Sequence, residues 1–122
     1  MLYIDEQMNI SMTRGDTVQI SISLTDNDGN AYDFSGDQEM VFSMRKEYAE
    51  PPVMDEPAPD LEIQIPLTGV RAGILVMGTG DTVGLESGDY YYDIHLVTAA
   101  GYVDTFINNR KFSLLPEVHG WA

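Results

Sequence analysis

The chain has no cysteine. That excludes structural disulfides, thiolate metal sites and cysteine nucleophiles, and it leaves the redox compartment unread. Positive charge is scarce as well: six lysines and arginines stand against twenty acidic residues, a formal net charge of -14. A surface this negative repels phosphate backbones and anionic lipid, so neither nucleic acid nor a membrane surface is an expected partner. It suits a protein partner with a basic docking face, and it also serves plain solubility. Histidine is nearly absent. His95 and His119 alone, with no cysteine, make no zinc site, and no metal or cofactor is expected. No apolar run approaches the ~20 residues that span a bilayer. The start, Met1-Leu-Tyr-Ile-Asp-Glu, has neither the basic nor the apolar region of a signal peptide, so synthesis in the cytoplasm is expected.

What is present is alternation. At 122 residues, 43% of them hydrophobic, the chain suffices for one domain over 1–122. Its organising stretch is Thr82 to Val97. Tyr90, Tyr92, Ile94 and Leu96 fall on one side of a period of two, and Tyr91, Asp93, His95 and Val97 on the other. Ahead of it stands Leu85-x-x-Gly88-x-Tyr90. In Greek-key sandwiches such a tyrosine bonds its hydroxyl back to the corner the chain has just left, with glycine turning the chain at positive φ.

Other strands follow the same rule. Ile10 and Met12 alternate, and Arg14-Gly15-Asp16 breaks the pattern. Val18, Ile20, Ile22 and Leu24 form a one-sided apolar face. Asp28-Gly29 marks a hairpin, with Tyr32 and Phe34 turned inward after it. Met40, Phe42 and Met44 line another strand, then Leu61, Ile63 and Ile65, then Gly73 to Met77. A single helical turn capped by Asp81 or Thr82 is expected before the Leu85 corner. Thr98 to Gly101 makes a tight hairpin. The last strand, Tyr102 to Leu115, is expected to bulge at Asn108-Asn109. Between Glu47 and Asp60 periodicity vanishes and four of six prolines gather, which reads as a long acidic loop over 47–60; 116–122 reads as a flexible tail. Seven to eight strands with turn signals every ~8–12 residues predict an all-β, immunoglobulin-like antiparallel β-sandwich with a Greek-key corner.

Catalytic chemistry finds no constellation, and no enzyme is expected. Ser87 sits in Glu-Ser-Gly-Asp, not in a nucleophile elbow. Asp26, Asp28 and Asn30 resemble the opening of a calcium loop, but Ala31 stands where that loop needs glycine and Asp37 where it needs glutamate, so an ordinary hairpin explains them. Arg14-Gly15-Asp16 spells a tripeptide that some receptors read, but a glycine turn between two strands is the better reading of it. Protein contact is the better expectation. The residues placed to carry it are Glu50, Asp55, Glu56 and Asp60 of the acidic loop, and Tyr91, His95 and Tyr102 on the exposed side of the last hairpin.

Three stretches taken together carry a resemblance: Ile10-x-Met12-x-x-Gly15-Asp16; Asp-x-Asp-Gly followed by Tyr32-Asp33-Phe34; and Asp81-Thr82-x-x-Leu85-x-x-Gly88-x-Tyr90-x-Tyr92-Asp93-Ile94. From about Ile10 to Leu115 the chain resembles small β-sandwich domains of phages and prophages of Gram-positive bacteria, the N-terminal domain of the baseplate upper protein among them. The resemblance implies a virion structural or assembly part of tail, baseplate or neck, without catalysis. Other phage structural proteins would be its partners, with a second copy of the chain as a further candidate. In the relatives, helical or fibre-forming segments follow the sandwich, whereas this sequence stops at Ala122. A carbohydrate-binding or adhesive surface module on the same fold is the alternative reading.

Overall fold

A computed structural model describes residues 2–25, 28–32, 36–46 and 59–117. They form β1 (Leu2–Ile4), β2 (Ile10–Thr13), β3 (Val18–Ser21), β4 (Asp37–Arg45), β5 (Leu61–Ile65), β6 (Ile74–Met77), the single turn α1 (Thr79–Thr82), β7 (Gly88–Thr98) and β8 (Val103–Leu115). Six strands make a curled mixed sheet in the order β1-β2-β8-β7-β4-β5, and β3 pairs with β6 in a second sheet of two. The all-β expectation holds.

One pairing departs from the antiparallel expectation. β2 runs parallel to β8, Ile10 opposite Phe112 and Thr13 opposite Leu115. Alternation cannot reveal this, because side chains alternate faces identically in both ladder types.

The apolar sets meet in one core. Met40, Phe42 and Met44 of β4, Tyr90, Tyr92, Ile94 and Leu96 of β7, and Phe112 and Leu114 of β8 are buried with Val18, Ile20, Leu75 and Met77 of the small sheet. At the centre, the rings of Phe42, Tyr92 and Phe112 lie with centroids 5.4 to 6.2 Å apart, one pair stacked and two edge-on. Each arrangement suits the quadrupole of an aromatic ring, and truncating Phe42 to alanine would cost about 3–5 kcal/mol.

The corner before β7 is built as its residues require. Gly88 adopts φ 143°, and the Tyr90 hydroxyl donates to the Glu86 carbonyl at 2.6 Å. Leu85 packs against the core from below. Gly101, at φ 88°, closes the β7–β8 hairpin, its N–H donating to the Thr98 carbonyl. The expected bulge is present too. Tyr92 faces Arg110 and Ile94 faces Ile107, so Asp93 alone opposes Asn108 and Asn109. Asn109 takes φ 54°, and its N–H donates to the Asp93 carboxylate at 2.6 Å.

Four local expectations change. β1 is an additional strand: Leu2, Tyr3 and Ile4 are too few to show a period, and tertiary pairing with β2 makes them extended. β3 leaves its ladder after Ser21, although Ile22 still donates its N–H to Gly73. α1 starts earlier than predicted, with Gly78 as cap residue; Asp81 folds back to accept the Gly78 N–H, while Thr82 is buried and accepts the Gly15 N–H at 2.7 Å. Finally, Glu117 is not part of a loose tail. Arg14 Nε donates to it at 2.9 Å, and Arg14 N–H to the Leu115 carbonyl. Phe34, and the loop over 47–58, lie outside the described residues.

Candidate functional site

The predicted contact residues do not converge. Glu50, Asp55 and Glu56 lie outside the described residues. Asp60 is exposed and accepts the Lys46 N–H at 2.7 Å, pinning the point where the chain enters β5. Tyr91 and His95 stand on the outer face of the large sheet, as alternation requires. Tyr91 is in register with Arg45 and Lys111, and His95 with Val41 and Thr105. Tyr102 is 75% exposed beyond Thr98, at the far end of β7. Six residue steps along β7 lead from Tyr91 to Val97 beside that hairpin, about 20 Å at ~3.3 Å per step. Tyr91 and Tyr102 therefore form no shared platform for a sugar ring. Asp93 is engaged by the bulge rather than by His95.

The Arg14-Gly15-Asp16 stretch is part of the framework. The guanidinium of Arg14 bonds both carboxylate oxygens of Glu117 and the carbonyls of Val83 and Leu85, at 3.0 and 3.1 Å. Gly15 is buried at φ 86°. The hydrogen bond that Arg14 donates to Glu117 raises the arginine's pKa above its ordinary value. This arginine ties the start of the chain to the α1–β7 corner and to the end of β8, and its head group is not presented to a receptor.

Among the described residues, titratable groups with displaced equilibria stand in such structural roles. The Lys46 ammonium, hydrogen-bonded to Glu86, holds that carboxyl below its ordinary value and is itself raised. Asp89 is lowered by hydrogen bonds from Ser113 and Lys111. Burial pushes the Tyr92 phenol up to about 12. Among the described residues no three histidine, aspartate or glutamate side chains are grouped to hold a metal ion.

A concave feature lies elsewhere, between the two sheets. A groove of about 320 Å³ opens between β3 with its continuation to Leu24 on one side, and β1, the β1–β2 turn and the bulged part of β8 on the other. Its walls are mostly apolar: Ile4, Met8, Ile10, Ile20, Ile22, Leu24, Phe106 and Ile107 line it, with Leu75, Tyr92 and Ile94 behind them; Asn108 and Arg110 add polar groups. The volume lies at the lower end of the ~300–1,000 Å³ of clefts that hold ligands. Sequence reasoning missed this site, although a signal existed. The alternating apolar face runs from Val18 to Leu24, whereas among the described residues the strand paired with β3 spans four residues, Ile74–Met77. Ile22 and Leu24 overhang.

No protein-family model, curated protein or solved structure matches this chain.

Proposed function

We propose that this chain is a non-enzymatic structural or assembly protein of a phage virion, working in the tail, baseplate or neck through contacts with neighbouring proteins. The observation that carries the contact reading is the state of the strand edges. Among the described residues, β3 and β6 pair only with each other, and β1 ends the large sheet with Tyr3 and Ile4 exposed. Open edges with apolar neighbours pair readily with other chains, and assembly proteins use them to do so. The phage assignment rests on the resemblance carried by the Gly15, Tyr32 and Leu85-to-Ile94 motifs.

An immunoglobulin-like arrangement is the finer reading of the fold. In that architecture strands C′, C, F and G lie side by side and B pairs with E. The sheet order β5-β4-β7-β8 and the β3–β6 pair support the same assignment, as does the corner tyrosine ahead of β7.

Mass spectrometry of nuclease-resistant particles, sedimented from an induced culture of the source strain, tests the reading. The chain is expected in fixed ratio to tail proteins. Its confinement to the soluble fraction would overturn the virion role.

A further inference from the structure

We infer that the groove beside β3 receives an extended segment of a different, basic protein, which adds to β3 as an outer strand. This rests on the protein-contact reading above and specifies where and with what chemistry the contact is made.

The backbone comes first. Ile22 donates its N–H to Gly73, and the β3–β6 register places Ile20 opposite Leu75. In an antiparallel ladder, alternate residues turn both main-chain groups to the same side. Val18, Ile20 and Ile22 thus face β6, and the N–H and C=O groups of Gln19, Ser21 and Ser23 face the other way. Among the described residues, none of these groups has a partner. They are a half-ladder of three residues awaiting its other half.

The side chains complete the case. Beneath that half-ladder lies the apolar groove, so a strand paired with β3 would direct alternate residues into it. Those residues would meet Ile20, Ile22 and Leu75 from the small sheet and Ile107 from β8. The intervening residues would stand on the wet face beside the exposed Gln19, Ser21 and Ser23. Main-chain bonds give such an addition its affinity, and pockets for alternate side chains give it specificity.

Charge selects the occupant. A second copy would bring another -14 to the contact, which opposes self-association. Asp5 and Glu6 sit in the β1–β2 turn, between Ile4 and Met8 that line the groove. Arg110 also lines the wall, and its charge is felt by Asp5. The fitting segment has aliphatic residues at one set of alternate positions and lysine or arginine at the other.

The test uses the whole chain and a synthetic nonapeptide alternating lysine with valine and isoleucine, read by amide hydrogen exchange. At a peptide concentration of about 100 Kd, the amides of Gln19, Ser21 and Ser23 should exchange about a hundredfold more slowly. A peptide with glutamate for lysine should protect none of them. Ser21→Pro removes one outward N–H while leaving the β6 side untouched, and should abolish the protection; Ser23→Pro repeats the test outside the β3–β6 ladder. Absence of protection by the lysine peptide, equal protection by the glutamate peptide, or binding that survives both prolines would overturn the inference. So would a dimer of the chain alone with the same three amides protected. Particles that incorporate Ser21→Pro and Ser23→Pro at the wild-type ratio would overturn it while leaving the virion role standing. A wild-type chain missing from particles would overturn that role itself.

Discussion

The hydroxyl of Tyr92 donates to the main-chain carbonyl of Met8, 84 positions away in sequence. Through that bond the middle of the large sheet holds the β1–β2 turn, where Met8 adopts φ 67°. Tyr92→Phe keeps the ring packing and removes only the bond. It should lower stability at neutral pH by about 1 kcal/mol, as judged from denaturant midpoints. The substitution should also change the alkaline limb. Burial holds the phenol at about 12 against an ordinary 10.0, so the fold keeps this proton more tightly than the unfolded chain does. The stabilisation is complete below pH 10 and is lost as pH rises from 10 towards 12. In Tyr92→Phe that part of the loss should be missing.

Gly88 offers a purely conformational test. A methyl group there would meet no atom within 4 Å, yet the backbone sits at φ 143°. Gly88→Ala should therefore cost about 1–3 kcal/mol from the backbone alone. Tyr90→Phe, which frees the Glu86 carbonyl, should cost about 1 kcal/mol. Thermal or denaturant unfolding would show both.

At the bulge, Asn109 combines a left-handed backbone with a buried Oδ1 that has no hydrogen-bond partner among the described residues. Removing that orphaned oxygen recovers about 1–3 kcal/mol, against about 0.5–1 kcal/mol for the freedom glycine gives the unfolded chain. Asn109→Gly should stabilise by about 1 kcal/mol on this balance. Asn109→Val, β-branched at positive φ, should destabilise. Denaturant midpoints of the two variants should move in opposite directions.

Arg14 is the tie between three chain segments. Lysine keeps the charge but cannot span Glu117 and the carbonyls of Val83 and Leu85 together. Arg14→Lys should thus lower the thermal midpoint nearly as much as Arg14→Ala. A result in which lysine restores most of the loss would assign the effect to charge and not to the fork.

Acid should weaken the fold in a defined window. Hydrogen bonds, first from the Asn9 side chain, hold the Asp5 carboxyl below its ordinary 3.8. Lys46 does the same for Glu86, and Ser113 with Lys111 for Asp89. Each group binds its proton less readily when folded, so its contribution is complete above the ordinary carboxylate range and lost as pH falls below it. Asp5→Asn should flatten the acid limb below pH 3.8. Equilibrium unfolding along an acid series measures the slope.

Much of this fold was legible because one-sided alternation is a local signal. The inner faces of β4 and β7, the Gly88–Tyr90 corner and the Asn108–Asn109 bulge all follow from residue types at short spacing. What was illegible is long-range. The parallel partner of β2, the pairing that makes Leu2–Ile4 a strand, and the tie from Arg14 to Glu117 depend on segments far apart in the chain. The candidate site divides the same way. Alternation placed Tyr91 outside and left His95 partly exposed, but the groove brings β1, the β1–β2 turn and the bulged part of β8 against β3 and its continuation, a juxtaposition of distant segments that no one strand shows.

The parallel pairing of β2 with β8 also bears on how the protein is made. Asn9, at the head of β2, accepts a hydrogen bond from Lys111, 102 positions later. At about 5–20 residues per second of synthesis, the N-terminal hairpin would wait roughly 5–20 s for the strand that covers it. Until then Ile10 and Met12 lack their neighbours Phe112 and Leu114. The large sheet therefore closes only after translation has passed its last strand, and the nascent chain carries an uncovered apolar edge throughout.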